Sequence, residues 1–115
     1  MQDCIFCKIA GGEIPASIVY EDETVVAFRD LNPQAPVHVL VVPRVHYTGL
    51  DDDVPAEVLA AVLSAGRRVA EATGVAASGY RVIVNTGPDA GQTVGHLHLH
   101  VLGGAAMAEG MVRLV

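Results

Sequence analysis

The chain has 115 residues, of which 51% are hydrophobic, and a formal charge of −6, from which we expect one domain over residues 1–115. The acidic balance argues against a nucleic acid polymer as partner, since basic patches dominate such binding, although backbone N–H groups can still bind a single phosphate. No apolar run reaches the roughly 18 residues of a membrane span, and no basic region precedes an apolar run at the N-terminus, so we expect a cytoplasmic protein without membrane contact.

The first third of the chain predicts a short helix and a β-hairpin. The helix covers residues 4–9, with Asp3 as its N-cap and the Gly11–Gly12 pair as its end. Residues 19–21 and 24–30 are predicted strands, because apolar and β-branched residues dominate both and a short acidic turn separates them.

The rest of the chain predicts one long helix and three further strands. A β-branched run at residues 37–42 is long enough for a buried strand, and two more strands are predicted at 80–86 and 94–102. A long amphipathic helix runs from about Pro55 to a stop at Gly74. Its apolar positions are Val58, Leu59, Val62, Leu63, Val69 and Ala70. Together the elements predict an α+β domain: a mainly antiparallel five-stranded sheet, a long helix on one face and a short N-terminal helix.

Three histidines alternate with apolar residues near the end of the chain. On a strand, residues two apart face the same side about 6.6 Å from each other, so His96, His98 and His100 project together. Leu97, Leu99 and Val101 then face a core. A single histidine is commonly a hydrogen-bonded structural residue, but three at strict period two indicate nucleophilic, acid–base or metal chemistry.

Two further motifs bear chemistry. Gly91, Gln92 and Thr93 directly precede the histidines; by itself this segment is an ordinary hairpin loop, but beside three imidazoles it is a credible phosphate cradle. Cys4 and Cys7 form a Cys-x-x-Cys pair, which in a reducing compartment is typical of a metal half-site or a redox pair.

The sequence resembles the histidine triad (HIT) superfamily, and within it the Hint branch. His96-Leu-His98-Leu-His100-Val-Leu matches the family pattern His-φ-His-φ-His-φ-φ at every position. Other agreeing segments are CIFCKI at 4–9, EIPA at 13–16, FRD at 28–30, NPQAP at 32–36, His38, VPR at 42–44, His46 and GQT at 91–93. The resemblance runs from Asp3 to about Gly104 and implies a HIT fold.

The resemblance implies a purine nucleoside phosphoramidate hydrolase. The middle histidine, His98, would attack the α-phosphorus and expel the amine, and water would then release the nucleoside monophosphate. His100 would hold the phosphate oxygens, and Thr93 would assist the leaving nitrogen or bind phosphate. His38 would orient groups or relay protons; the alternative for His38 is a packed strand histidine.

The same resemblance implies a site for a nucleotide such as AMP or GMP. Asp30 would accept hydrogen bonds from the ribose hydroxyls, and Asn85 would contact the phosphate or ribose. The base would lie between Phe6, Ile9, Phe28 and Leu31, for which plain core packing is the alternative. The phosphate would contact Gly91, Gln92, Thr93, His98 and His100.

The Cys-x-x-Cys pair acquires partners through the resemblance. Cys4, Cys7, His46 and His96 would hold a structural zinc that ties the N-terminal helix to the sheet, remote from the reaction and not required for its chemistry. The alternative is a pair of free or partly buried thiols.

The Hint branch also implies a homodimer whose sheets join across a two-fold axis. The run at residues 80–84 is strongly β-forming with little charge, and an exposed edge of that kind needs a partner. Small residues on which a partner helix could pack are Ala60, Ala61, Ser64, Ala65 and Gly66. The alternative is a monomer. The tail after Gly104 lacks the Trp-Pro-Pro type of ending found in eukaryotic relatives, which leaves the preferred leaving group open.

Two other functions stay open. One is a dinucleoside polyphosphate hydrolase, as in the Fhit-like branch, with the same chemistry on His98. The other is a nucleotide-binding regulatory protein whose hydrolysis is incidental.

Overall fold

The computed structural model describes residues 3–115. Its elements, in chain order, are α1 (Ile5–Ala10), β1 (Ile18–Glu21), β2 (Val25–Arg29), β3 (Val37–Pro43), α2 (Ala56–Thr73), β4 (Tyr80–Ile83), a 3₁₀ turn (Pro88–Ala90) and β5 (Leu99–Gly103). The strands form one sheet in the order β1-β2-β3-β5-β4, and every neighbouring pair is antiparallel. The predicted α+β architecture, with five strands, a long helix and a short N-terminal helix, is therefore confirmed.

The two central strands β2 and β3 are apolar at nearly every position because both faces of the sheet are covered. One face packs against α2 through Val62, Ala65 and Val69. The opposite face packs against α1 through Phe6. His38 and His100 lie on this second face, since their neighbours along the strands, such as Val39 and Val101, belong to the cluster under α2. No helix in residues 3–115 is long and apolar enough to cross a membrane.

The predicted cap of α1 was wrong. Cys4, not Asp3, is the N-cap, and its Sγ accepts a hydrogen bond from the Cys7 backbone N–H at 3.4 Å. The helix ends at Ala10 with Gly11 as C-cap. The sequence favours Asp3 because its carboxylate is the stronger acceptor, but the thiol one residue later occupies the capping position.

The last two strands are shorter than predicted, and only His100 of the three histidines lies within β5. The ladder between β3 and β5 stops at the pair Val41–Leu99. Extending it would pair Leu97 with Pro43, which has no N–H to donate and whose carbonyl already accepts from His96 Nε2 at 2.9 Å. The Leu97 N–H donates instead to the Tyr47 carbonyl at 2.6 Å. The pairing of β4 with β5 ends at Ile83–His100.

Helix α2 buries Val62, Val69 and Ala70 as predicted, but the rest of its buried stripe differs. Leu63 is 58% exposed, whereas Ala65 and Gly66 are buried against the sheet. A Cβ at position 66 would lie 3.2 Å from Leu99 Cδ2, so the helix approaches the sheet most closely where it has no side chain. Ala65 and Gly66 are therefore not available for a partner helix, contrary to the prediction.

Candidate active site

A cleft of about 460 Å³ opens on the face of the sheet that carries α1. This size suits a small organic ligand. Among the residues predicted for the site, those that line the cleft are Phe6, Ile9, Phe28, Asp30, Leu31, His38, Thr93, His98 and His100. The histidine side and the apolar side of the cleft therefore face a common space, as a ligand with a flat ring and a charged group would need.

The apolar side of the cleft is built around Phe6. Its ring meets Phe28 edge-on, with centroids 5.5 Å apart, and meets His98 in the same way at 5.1 Å. Ile9 is half-buried beside it, and Leu31 is 99% exposed at the cleft. Leu31 is thus not a core residue, so the alternative of plain packing does not hold for it.

His98 is buried, and one of its ring nitrogens is committed to the main chain. Its Nδ1 lies 2.7 Å from the His96 carbonyl oxygen. A carbonyl can only accept, so Nδ1 carries the proton and, in the neutral ring, Nε2 keeps its lone pair. His98 thus offers the cleft a bare nitrogen, which is the form that a nucleophile or base requires.

His38 and His100 form a direct pair beside it. His38 Nε2 lies 2.8 Å from His100 Nδ1 and 3.4 Å from Asp30 Oδ2. Burial, followed by the neighbouring rings of His98 and His38, lowers the pKa of His100 to about 4. Burial also lowers the pKa of His38, against the opposing effect of Asp30. Both rings are therefore neutral near pH 7, and the cleft holds no imidazolium from this pair.

Three predicted phosphate contacts do not line the cleft: Asn85, Gly91 and Gln92. The Gln92 amide braces its own loop instead. Its Oε1 accepts from the Gly87 N–H at 2.9 Å, and its Nε2 donates to the carbonyls of Thr48 and Val94. Gly91 has a φ of 79°, a conformation that favours glycine, so it shapes the turn that leads to Thr93.

The four predicted metal ligands come together at the N-terminus of α1. One donor atom from each of Cys4, Cys7, His46 and His96 lies within 4.8 Å of every other. Nδ1 of His96 is 3.3 Å from Cys4 Sγ, and Nδ1 of His46 is 3.2 Å from Cys7 Sγ. In a tetrahedral zinc site, nitrogen and sulfur ligands are about 3.6 Å apart.

The protonation of His96 also suits a metal ligand. Its Nε2 faces only the Pro43 carbonyl, so Nε2 carries the proton and the lone pair of Nδ1 points at the two thiols. Burial raises the pKa of Cys7, and its neighbour Cys4 raises it further, so without a cation the Cys7 thiol resists ionisation. The donor set therefore fits zinc.

This cluster is not remote from His98, the predicted nucleophile, contrary to expectation. The His96 ring lies in the cluster, and the carbonyl of the same residue holds His98 Nδ1. Phe6, which stands between Cys4 and Cys7 in the sequence, contacts both rings, with centroid distances of 6.0 Å to His96 and 5.1 Å to His98. Sequence reasoning missed the main-chain acceptors Pro43 and Tyr47, since a carbonyl leaves no signal in residue type.

Comparison with known proteins identifies the family. The HIT domain model matches residues 11–107, which is most of the chain. The chain belongs to the HIT domain family. It is 44% identical over 106 residues to a purine nucleoside phosphoramidase of Escherichia coli (strain K12), covering 90% of this chain and 88% of that protein. It is 48% identical over 107 residues to a 14 kDa zinc-binding protein of Zea mays, covering 90% and 83% respectively.

Solved structures agree with this assignment. A HIT family hydrolase from Clostridium thermocellum superposes with a TM-score of 0.93 at 45% identity, covering 97% of this chain and 99% of that one. The triad of this HIT protein therefore lies in a fold that its relatives share almost over their whole length.

Proposed function

We propose that this HIT protein hydrolyses purine nucleoside 5′-phosphoramidates. One observation carries the proposal: His98 has a bare Nε2 in a cleft whose other wall is aromatic and whose rim carries a carboxylate. A nucleophile for phosphorus, a surface for a base and an acceptor for ribose hydroxyls are the three parts that such a substrate needs. The phosphoramidase activity of the E. coli relative supports this choice over other hydrolyses.

The reaction proceeds in two displacements. Nε2 of His98 attacks the α-phosphorus, the P–N bond breaks, and the amine leaves with a proton that the exposed Thr93 hydroxyl passes on from solvent. Water then attacks the phosphorus of the nucleotidyl-histidine, the new P–N bond to His98 breaks, and the nucleoside monophosphate is released. The His96 carbonyl stabilises the charge that develops on the His98 ring through the Nδ1 proton.

The remaining residues bind and orient. Phe6, Phe28, Ile9 and Leu31 hold the base, and Asp30 accepts hydrogen bonds from the ribose. His100, being neutral, contacts the phosphate oxygens without trapping the anionic product by a full charge. The three predicted contacts that do not line the cleft either shape the loop before Thr93 or contact the substrate once it is bound. They are Gly91, Gln92 and Asn85.

The test is a substrate panel with a matched pair of variants. We expect wild-type protein to turn over adenosine 5′-phosphoramidate faster than a diadenosine polyphosphate, and His98→Ala to lose several orders of magnitude. Wild type mixed with substrate and quenched in alkaline solution, in which the P–N bond of a nucleotidyl-histidine survives, should carry one nucleotidyl group on His98. Glu23→Gln, in the exposed turn between β1 and β2, is the control for folding. Faster cleavage of the polyphosphate would favour the Fhit-like alternative, and tight binding with negligible turnover of both substrates would favour a regulatory protein.

We also propose that Cys4, Cys7, His46 and His96 bind a structural zinc ion. When bound, the metal would cross-link α1 to the segment before β5, and it would supply no chemistry to the hydrolysis. The name of the maize relative supports this choice of metal. Elemental analysis should find about one zinc per chain. Cys4→Ser and Cys7→Ser should each lower both zinc content and thermal stability. If both single variants keep the stability and the metal content of wild type, the proposal is contradicted.

A homodimer is the third part of the proposal. Strand β4 is an edge of the sheet, and its Tyr80 and Val82 are 38% and 43% exposed. Strand pairing across a two-fold axis would cover this edge, and the exposed Ala60, Leu63 and Ser64 of α2 would face the same side.

A further inference from the structure

The loop that precedes β3 points a backbone N–H at an imidazole ring of the cleft. The Gln34 N–H donates to His38 Nδ1 at 3.0 Å. The loop is braced by the Asp30 N–H, which donates to the His38 carbonyl at 3.0 Å, and by the Asn32 N–H, which donates to Asp30 Oδ1 at 2.9 Å. The Gln34 side chain is bonded elsewhere, to the Asn32 carbonyl, so only the main chain of Gln34 acts on His38.

This contact decides where the proton of His38 lies. An amide N–H can only donate, so Nδ1 of His38 must accept, and the single proton of the neutral ring is on Nε2. Nε2 lies 2.8 Å from His100 Nδ1 and therefore donates to it. His100 Nδ1 is then an acceptor, so the proton of His100 is on its own Nε2. His98 and His100 thus have opposite tautomers: His98 has a bare Nε2 and His100 a protonated one.

We propose that the backbone amide of Gln34 is a positioning group. It fixes His38 as a hydrogen-bond donor to His100, and His100 is thereby fixed as a donor toward the cleft. Its kinetic consequence rests on the proposed hydrolysis, in which an Nε2–H of His100 meets a phosphate oxygen as negative charge grows. Without the amide, His38 can take the other tautomer and present a lone pair to His100. His100 then moves its proton to Nδ1, and its Nε2 lone pair repels the phosphate oxygen.

The same amide works against a cation at this place. Asp30, His38 and His100 offer a carboxylate and two imidazoles within 4.8 Å, a set of the kind that binds divalent transition metals. A metal would need the Nε2 lone pair of His38. The ring proton would then move to Nδ1, where it would face the Gln34 N–H. Two hydrogen-bond donors would then point at each other, which is unfavourable. The loop therefore favours a chain of hydrogen bonds over a metal at these three residues.

The test separates the N–H of position 34 from its side chain. Gln34→Ala keeps the N–H and is the reference. Gln34→Pro removes the N–H, and an ester at position 34, made with the α-hydroxy acid counterpart of alanine, removes it without constraining the backbone. Protein with ¹⁵N-labelled imidazoles reports each tautomer through two-bond ¹H–¹⁵N correlations.

We expect the Nε2–H tautomer for His38 and His100 in wild type and in Gln34→Ala. In the ester variant His100 should shift toward Nδ1–H, and kcat should fall about 10- to 100-fold relative to Gln34→Ala, with KM changed less than about threefold. An Nδ1–H tautomer of His38 in wild type would overturn the proposal, as would an ester variant that keeps both tautomers and its kcat. If wild type fails to cleave phosphoramidates, the proposed function falls, while the tautomer spectra still decide the role of Gln34.

Discussion

His100 should make the stability of this protein strongly dependent on pH. Its pKa is about 4 in the folded chain and 6.5 when unperturbed, because burial and the adjacent His98 and His38 rings oppose its charge. Above pH 6.5 the ring is neutral in both states and contributes no pH dependence. Between pH 6.5 and 4 the unfolded chain binds a proton that the folded chain rejects, so stability is lost as the pH falls.

The size of the loss follows from the shift. At 1.36 kcal/mol per pKa unit, the free energy of unfolding should fall by about 2 kcal/mol by pH 5 and about 3 kcal/mol by pH 4 on account of His100 alone. His100→Asn is the matched variant, since its Oδ1 can still accept from His38 while it cannot titrate. Urea unfolding followed by circular dichroism at pH 7, 5 and 4, at one zinc concentration, gives the difference between the two proteins.

Other groups that titrate in this range, such as His96, affect both proteins alike and cancel. The reasoning is refuted if wild type and His100→Asn lose the same free energy of unfolding between pH 7 and pH 5.

Three further outcomes are expected. Asp30→Asn should weaken AMP binding by about 1.5–3 kcal/mol but hardly change binding of the 2′,3′-dideoxy analogue; equal losses in calorimetry would mean that Asp30 does not contact the ribose. Gly103→Ala should lower stability by about 1–3 kcal/mol, because a Cβ there would lie 2.8 Å from Val75 Cβ, and Val75→Ala should relieve only the part due to the Val75 Cγ atoms, since alanine keeps its Cβ. Sedimentation at micromolar concentration should give a species of twice the 12.0 kDa chain mass, whereas an active species of one chain mass would exclude the dimer as a requirement.

The sequence was sufficient for the order and type of every strand and both α-helices, because hydrophobic period and turn residues determine them. It placed Leu63 inside and Gly66 on a surface for a partner helix, since hydrophobicity alone does not show that α2 lies too close to Leu99 for a side chain. It extended β5 across His96 and His98, since the conflict arises at Pro43, more than fifty residues away.

The candidate site could likewise be predicted only in part from the sequence. Side chains with distinctive chemistry, such as Cys4, Cys7 and the histidines, could be named from their spacing and from the family resemblance. The groups that set the protons of those histidines are the main-chain N–H of Gln34, which any residue type except proline could supply, and the main-chain carbonyl of His96, which any residue type could supply. Only a three-dimensional structure identifies such groups.

The alternation of residues 96–101 has a consequence for how this segment can vary. Leu97, Leu99 and Val101 are at most 1% exposed, the last two of them under α2, while the imidazoles between them face the cleft or the Cys-x-x-Cys pair. Deleting or inserting a single residue here would exchange the two faces, burying imidazoles under the helix and presenting leucines to the ligand. The segment can therefore accept exchanges of side chains within each face but not a change in length. A single alternating run of residues thus supplies both the core and the cleft.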